Sequence, residues 1–310
     1  MISITSFTIV NIRYYTSVDY IYHMTKELKQ MYVGEKRMSP PTVPDNNHGP
    51  AVKQQQHMEH SQHQQHHQPP VSKQYNVSLS YSLVSPEAGK PTNLTTSVTE
   101  KSGAPIKEFE LVHDKLMHLV IVGEDLSYFA HIHLTLESTK GNFTTTHTFP
   151  ESGKYKLWVD FKPKGGTQNV QAFMVDVKGL PAHNPITPVH DGIYIKESAD
   201  SNYHISLKLP QERIVANKDA DIVFSIADAA GNPVIDLEPL MGAGGHSVII
   251  SSDIREFLHV HPTEEVEPNW KGGPHISFRT TFPKPGLYKA WGQFQHRGKI
   301  IVADFILKVA

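Results

Sequence analysis

From about residue 73 onward, apolar and polar positions alternate in short runs broken by Gly, Pro, Asn and Asp. A period of two belongs to strands with one buried face. Runs at 75–84, 93–99, 106–112, 116–122, 128–134, 143–149, 154–161 and 170–177 therefore predict strands. Their spacing predicts an antiparallel β-sandwich. A proline-marked stretch at 179–191 reads as a linker, and the strand rhythm then resumes to the C-terminus. The expected organisation is all-β: one sandwich over 73–178, a second over 192–310, and a poorly structured, His/Gln-rich, low-complexity segment over 1–72. Residues 48–70 carry His48, His57, His60, His63, His66 and His67 among glutamines and have too little apolar surface to offset ordering entropy. They read as a disordered spacer or as a weak, multivalent metal-collecting tail. Residues 1–47 are apolar only in patches interrupted at Asn11 and Arg13, so no secretory leader is legible there.

The two halves repeat. Val77 and Leu79 match Ile205 and Leu207, Gly103 matches Gly231, and His118, His131 and His133 match His246, His259 and His261, all 128 positions apart. After extra residues near 271–274, Phe149, Gly153, Tyr155 and Trp158 match Phe282, Gly286, Tyr288 and Trp291 at 133. One fold, duplicated, accounts for this register. Gly153 and Gly286 read as turn residues needing positive φ before a core strand. The paired Tyr and Trp read as sandwich core.

Composition narrows the chemistry. The 29 Lys+Arg against 31 Asp+Glu leave no basic surface for a nucleic acid. No run of 18 apolar residues occurs, so no membrane-spanning helix is expected. With no cysteine, disulfides, thiolate metal sites and thiol nucleophiles are excluded. Gly-rich phosphate loops and the Gly-x-Ser-x-Gly elbow are absent. The excess is histidine, at twenty.

In a strand, residues i and i+2 share a face. His131 with His133, and His259 with His261, thus each offer two imidazoles to one side. His118 and His246 lie thirteen positions upstream of each pair, across a strand–turn–strand segment that folds them back beside it. Three imidazoles per repeat suit Cu, Zn, Ni or Fe. Thioethers favour Cu(I), and His113 and Met117 in the first copy and Met241 in the second tip the expectation to copper, with zinc as the other candidate. His147, His275 and His296 have no histidine counterpart in register and read as ordinary residues.

The unit resembles the bacterial YtkA-like domains. The resemblance lies in the stretch from His118 through Gly123 and Phe129 to His131 and His133, in Gly245 and His246, in 257–262, and in Phe282, Pro283, Gly286, Tyr288 and Trp291. It covers about 75–310 and implies an immunoglobulin-like sandwich, usually exported and sometimes linked to copper handling. The expectation is a non-catalytic metal-binding protein in extracytoplasmic buffering or delivery. Its partners would be the metal ion and a membrane metal transporter or metalloprotein. Two alternatives stand beside it. One is a cupin-like metalloenzyme, since Glu137 and Glu265 follow each histidine pair by four positions as in the first cupin motif; the cupin's later histidine has no counterpart at 285–289. The other is a metal-free structural or adhesive tandem sandwich.

Overall fold

The computed structural model describes residues 75–82, 85–112, 114–137, 140–179, 190, 194–198 and 202–310. The expected tail over 1–72 and most of the 179–191 linker lie outside them. The described chain is all-β, in two sandwiches of antiparallel sheets.

The first sandwich comprises β1 (Asn76–Tyr81), β2 (Pro91–Thr99), β3 (Phe109–Glu110), β4 (Met117–Gly123), β5 (Phe129–His133), β6 (Thr135–Glu137), β7 (Asn142–Thr148), β8 (Gly153–Pro163) and β9 (Asn169–Val177). One sheet runs β1-β2-β7-β6, the other β3-β8-β4-β5 with β9 also on β8. The second comprises β10 (Ile195–Glu197), β11 (Tyr203–Lys208), β12 (Asp219–Asp228), β13 (His246–Ser251), β14 (Phe257–Val260), β15 (His275–Thr281), β16 (Gly286–His296) and β17 (Lys299–Val309). Its sheets run β10-β11-β12-β15 and β14-β13-β16-β17. The run at 106–112 yields only the two-residue β3.

Alternation makes each core. In β2, Leu94 and Val98 point inward, and in β12 Ile222, Phe224 and Ile226 do the same. Tyr155 and Tyr288 are core, each donating its hydroxyl to a carbonyl four residues upstream, Glu151 and Lys284, at 2.9 Å. Gly153 and Gly286 adopt φ of 137° and 144°, the freedom their turns need.

Trp158 and Trp291 correct the sequence reading. They lie outside both sandwich interiors, in a third apolar cluster with Val120, Val122, Val248 and Ile250. That cluster joins the outer face of the β4–β5–β8 sheet to the outer face of the β13–β14–β16 sheet. β4 and β13 are consequently buried along their whole length.

The contacts across this junction come in exchanged pairs. Phe129 stacks on Trp291 with centroids 4.7 Å apart, and Phe257 stacks on Trp158 at 5.2 Å. Lys289 Nζ donates to Leu126 O at 2.9 Å, and Lys156 Nζ donates to Ile254 O. Leu126 and Ile254 are equivalent positions and both hold positive φ, 60° and 51°, a costly conformation for such side chains. Each contact thus occurs twice with the repeats' roles swapped. This is the pattern of an isologous two-fold interface, realised within one chain.

Candidate metal centre

The six repeated histidines lie on these two facing sheets. His118 on β4 pairs across the sheet with His133 on β5 and with Asp160 on β8, and Val120 pairs with His131. The third histidine therefore projects to the same face as its pair. In the second repeat His246 pairs with Gln293 on β16, and Val248 with His259 on β14.

Sequence spacing gave one triad per repeat; the structure brings all six rings into one cluster. Within the first repeat, His118 lies 5.2 Å from His131 and 5.0 Å from His133, centroid to centroid. Within the second, His246 and His261 are 4.8 Å apart, and His259 and His261 4.9 Å. Between repeats, His259 is 5.1 Å from both His118 and His131. Two groups have ligand atoms within 4.8 Å of one another: His118, His131 and His259, and His246, His259 and His261. His133 falls in neither group. Its Nε2 is buried with no hydrogen-bond partner.

Hydrogen bonds set where the ring protons sit. A carbonyl only accepts, so His118 donates from Nε2 to Val112 O (2.6 Å), and His246 from Nε2 to Leu240 O (2.9 Å). Both then carry the lone pair on Nδ1. Val112 and Leu240 are themselves equivalent positions. His259 donates from Nδ1 to Asp160 Oδ2 at 3.2 Å, which leaves its lone pair on Nε2. Asp160 is 1 % exposed and accepts twice from Gln168 Nε2, at 2.7 and 2.9 Å. Its equivalent, Gln293, places its side-chain oxygen, Oε1, 2.9 Å from His131 Nδ1; an amide oxygen only accepts, so His131 donates from Nδ1 and carries its lone pair on Nε2. His131 Nε2 and His118 Nδ1 are 3.0 Å apart, so with these two tautomers the lone pairs of neighbouring rings face each other.

Burial holds these rings neutral. It pushes His133 and His246 down to about 4 and lowers His118 and His131 as well, with neighbouring histidines adding to the effect on His131. Neutral imidazole is the form that ligates a metal.

The remaining predicted ligands fall elsewhere. Met117 adjoins His118 in the strand, so it points the opposite way and is fully buried in the first sandwich core. Met241 sits in the turn before His246 with φ of 51°, and a backbone hydrogen bond at this residue acts on His246. His113 lies outside the described residues. Of the cupin-like glutamates, Glu137 pairs with Lys140 at 3.6 Å and Glu265 is exposed; neither belongs to the two groups. His147 contacts the Tyr128 hydroxyl, His275 the Ser225 hydroxyl, and His296 Tyr203 and Asp236. Sequence reasoning missed Asp160 and Gln293. Their signal was available: each stands two positions after a repeated tryptophan, on the same strand face.

A family model described as a domain of unknown function (DUF8832) matches residues 70–179 and again 197–310, and the chain belongs to that family. No curated protein matches the sequence. Similar solved structures include the Escherichia coli adhesin FdeC, at 16% identity and TM-score 0.24, covering 76% of this chain and 64% of that one. The Yersinia pseudotuberculosis adhesin InvE matches at 11% and 0.24 over 74% and 58%, and domains 4 and 5 of the S-layer protein SbsC at 10% and 0.21 over 76% and 98%. This chain spans less than two thirds of either adhesin structure. Likeness at that level carries no argument about function. Among the described residues no helix is long and apolar enough to cross a membrane.

Proposed function

We propose that this member of the DUF8832 family is a non-catalytic metal-binding protein, with its site in the histidine cluster between its two sandwiches. The observation that supports this most is convergence: histidines from both repeats place ligand atoms within 4.8 Å of one another in two groups. With Met117 turned into the core, the donors at hand are nitrogens. They suit a borderline divalent ion, Cu(II) first in the usual affinity order and Zn(II) after it. The resemblance to YtkA-like domains points the same way and implies an extracytoplasmic setting. Buffering, or delivery to a membrane metal transporter or a metalloprotein, is the role that fits an enclosed cluster whose groups contain no carboxylate.

Thermal unfolding tests this. An ion that binds only the folded state raises stability by about 2.7 kcal/mol at one hundred times its Kd. Histidines that bind metal equally in the folded and unfolded chain do not move the midpoint, so a shift reports the cluster. Zinc or copper is expected to raise Tm by several degrees.

A second reading, a metal-free structural or adhesive tandem sandwich, is favoured by one observation: His131 Nε2 and His118 Nδ1 lie 3.0 Å apart, within reach of a direct hydrogen bond that forms when the Gln293 amide turns and that lets part of the cluster satisfy itself. An unchanged Tm with both ions would select it.

A further inference from the structure

The two candidate groups overlap, and the overlap is a single residue. His259 belongs to both. Its Nδ1–H is committed to the Asp160 carboxylate, so one lone pair, on Nε2, serves both groups. An imidazole in that state coordinates one ion at a time.

The pseudo-two-fold is broken at this point. Position 160 holds a carboxylate, which only accepts, and position 293 holds an amide, which turns either way. Gln293 presents Oε1 to His131 Nδ1, which keeps the His131 lone pair on Nε2; with its amide turned it presents N–H instead, and His131 then donates to His118. The oxygen-facing orientation is the one that suits an ion on His131 Nε2. Turning the amide moves the proton between the two nitrogens of His131, and none needs to leave the protein. Asp160 allows His259 no such exchange: it fixes the ring with Nε2 towards the cluster. Neither group contains a carboxylate, and the buried one beside them, Asp160, is already held to the shared His259, so a second dication would bring its charge into this interior with no further counter-charge from the groups.

We infer that the cluster holds one divalent ion per chain in either of two overlapping positions, His118–His131–His259 or His246–His259–His261, with His259 as the shared ligand and Asp160 as its positioning residue. This rests on the metal-binding reading above. An ion that moves between positions exchanges two ligands and keeps the third, so it crosses from one repeat's histidines to the other's without being released.

The test is a zinc competition titration of the full chain against a chelating dye. Ions held by the histidines between 48 and 67 are common to all variants and cancel in the comparison. His131→Ala and His261→Ala should each keep one tight ion, because each leaves one position whole. His259→Ala, and the double variant His131→Ala with His261→Ala, should lose it. If His259→Ala fails to fold, His259→Gln carries the same question with a smaller change in volume. Asp160→Asn should weaken zinc about 10–100-fold, the usual effect of removing a partner that orients a metal-bound histidine. It should also mix the His259 tautomers in imidazole ¹⁵N spectra, which a merely structural role would not do. Two tight ions in the wild type, a tight ion surviving in the His259 variants, or an unchanged His259 tautomer in Asp160→Asn overturns the inference and leaves the metal-binding reading standing. No tight zinc in the wild type overturns both.

Discussion

Replacing Trp291 with alanine is expected to cost about 3–5 kcal/mol of stability, the range for deleting a large buried aromatic. The side chain is 3 % exposed, stacks on Phe129 of the other repeat at an interplanar angle of 11°, and lies 5.2 Å beneath Lys289 Nζ. Its removal empties the junction rather than a sandwich interior. Both sandwich cores stay filled, so the loss falls on the coupling between repeats. Trp158→Ala removes the equivalent stack on Phe257 and should cost a similar amount. The double variant should cost less than the sum, because opening the junction with one substitution already exposes much of what the second removes. Urea unfolding followed by intrinsic fluorescence and by circular dichroism would measure this. Costs near those of surface substitutions, about 0.5 kcal/mol, would mean that the two faces are not joined in solution.

The same junction marks where sequence reasoning stopped. Strand alternation and the fixed offset were enough for two sandwiches, and the His-x-His spacing was enough for same-face pairs. The continuous apolar runs of β4 and β13 carried a further message. A strand buried on one face alternates; a strand buried on both reads as an unbroken run. Leu119, Val120, Ile121 and Val122 signalled a second covered face, with Leu119 and Ile121 in the sandwich core and Val120 and Val122 beneath the other repeat. What covers that face depends on the shape of the matching surface 128 to 133 positions along the chain, and no local pattern encodes it. For the same reason the histidines read as two triads, and Trp158 and Trp291 as core. Met117 is a different case. Its place next to His118 put it on the opposite face by strand geometry alone, and its soft sulfur drew the expectation away from that rule.

Acid is expected to destabilise the metal-free protein progressively from about pH 6.5 to about pH 4. Burial lowers His118 and His131 and brings His133 and His246 to about 4, whereas the unfolded chain titrates these groups near 6.5. Between those limits the unfolded state binds more protons than the folded one, so stability rises with pH and is lost as pH falls. Each such group contributes up to about 1.4 kcal/mol per pH unit while its two states differ by one proton. Histidines that titrate alike in both states cancel. The carboxylates held low by partners, such as Glu238 at about 2, gain their protons in the unfolded chain only below about pH 4.5. The upper part of the window therefore belongs to the histidines. Urea midpoints in a chelator, measured from pH 7.5 to 4.5, should fall with a slope that His133→Asn makes shallower. Zinc should steepen the fall, since each proton then also displaces an ion that binds only the folded state. Midpoints that stay level from pH 7 to pH 5 would mean that these rings meet water in the folded protein as freely as in the unfolded chain, and that burial does not hold them neutral below the ordinary histidine range.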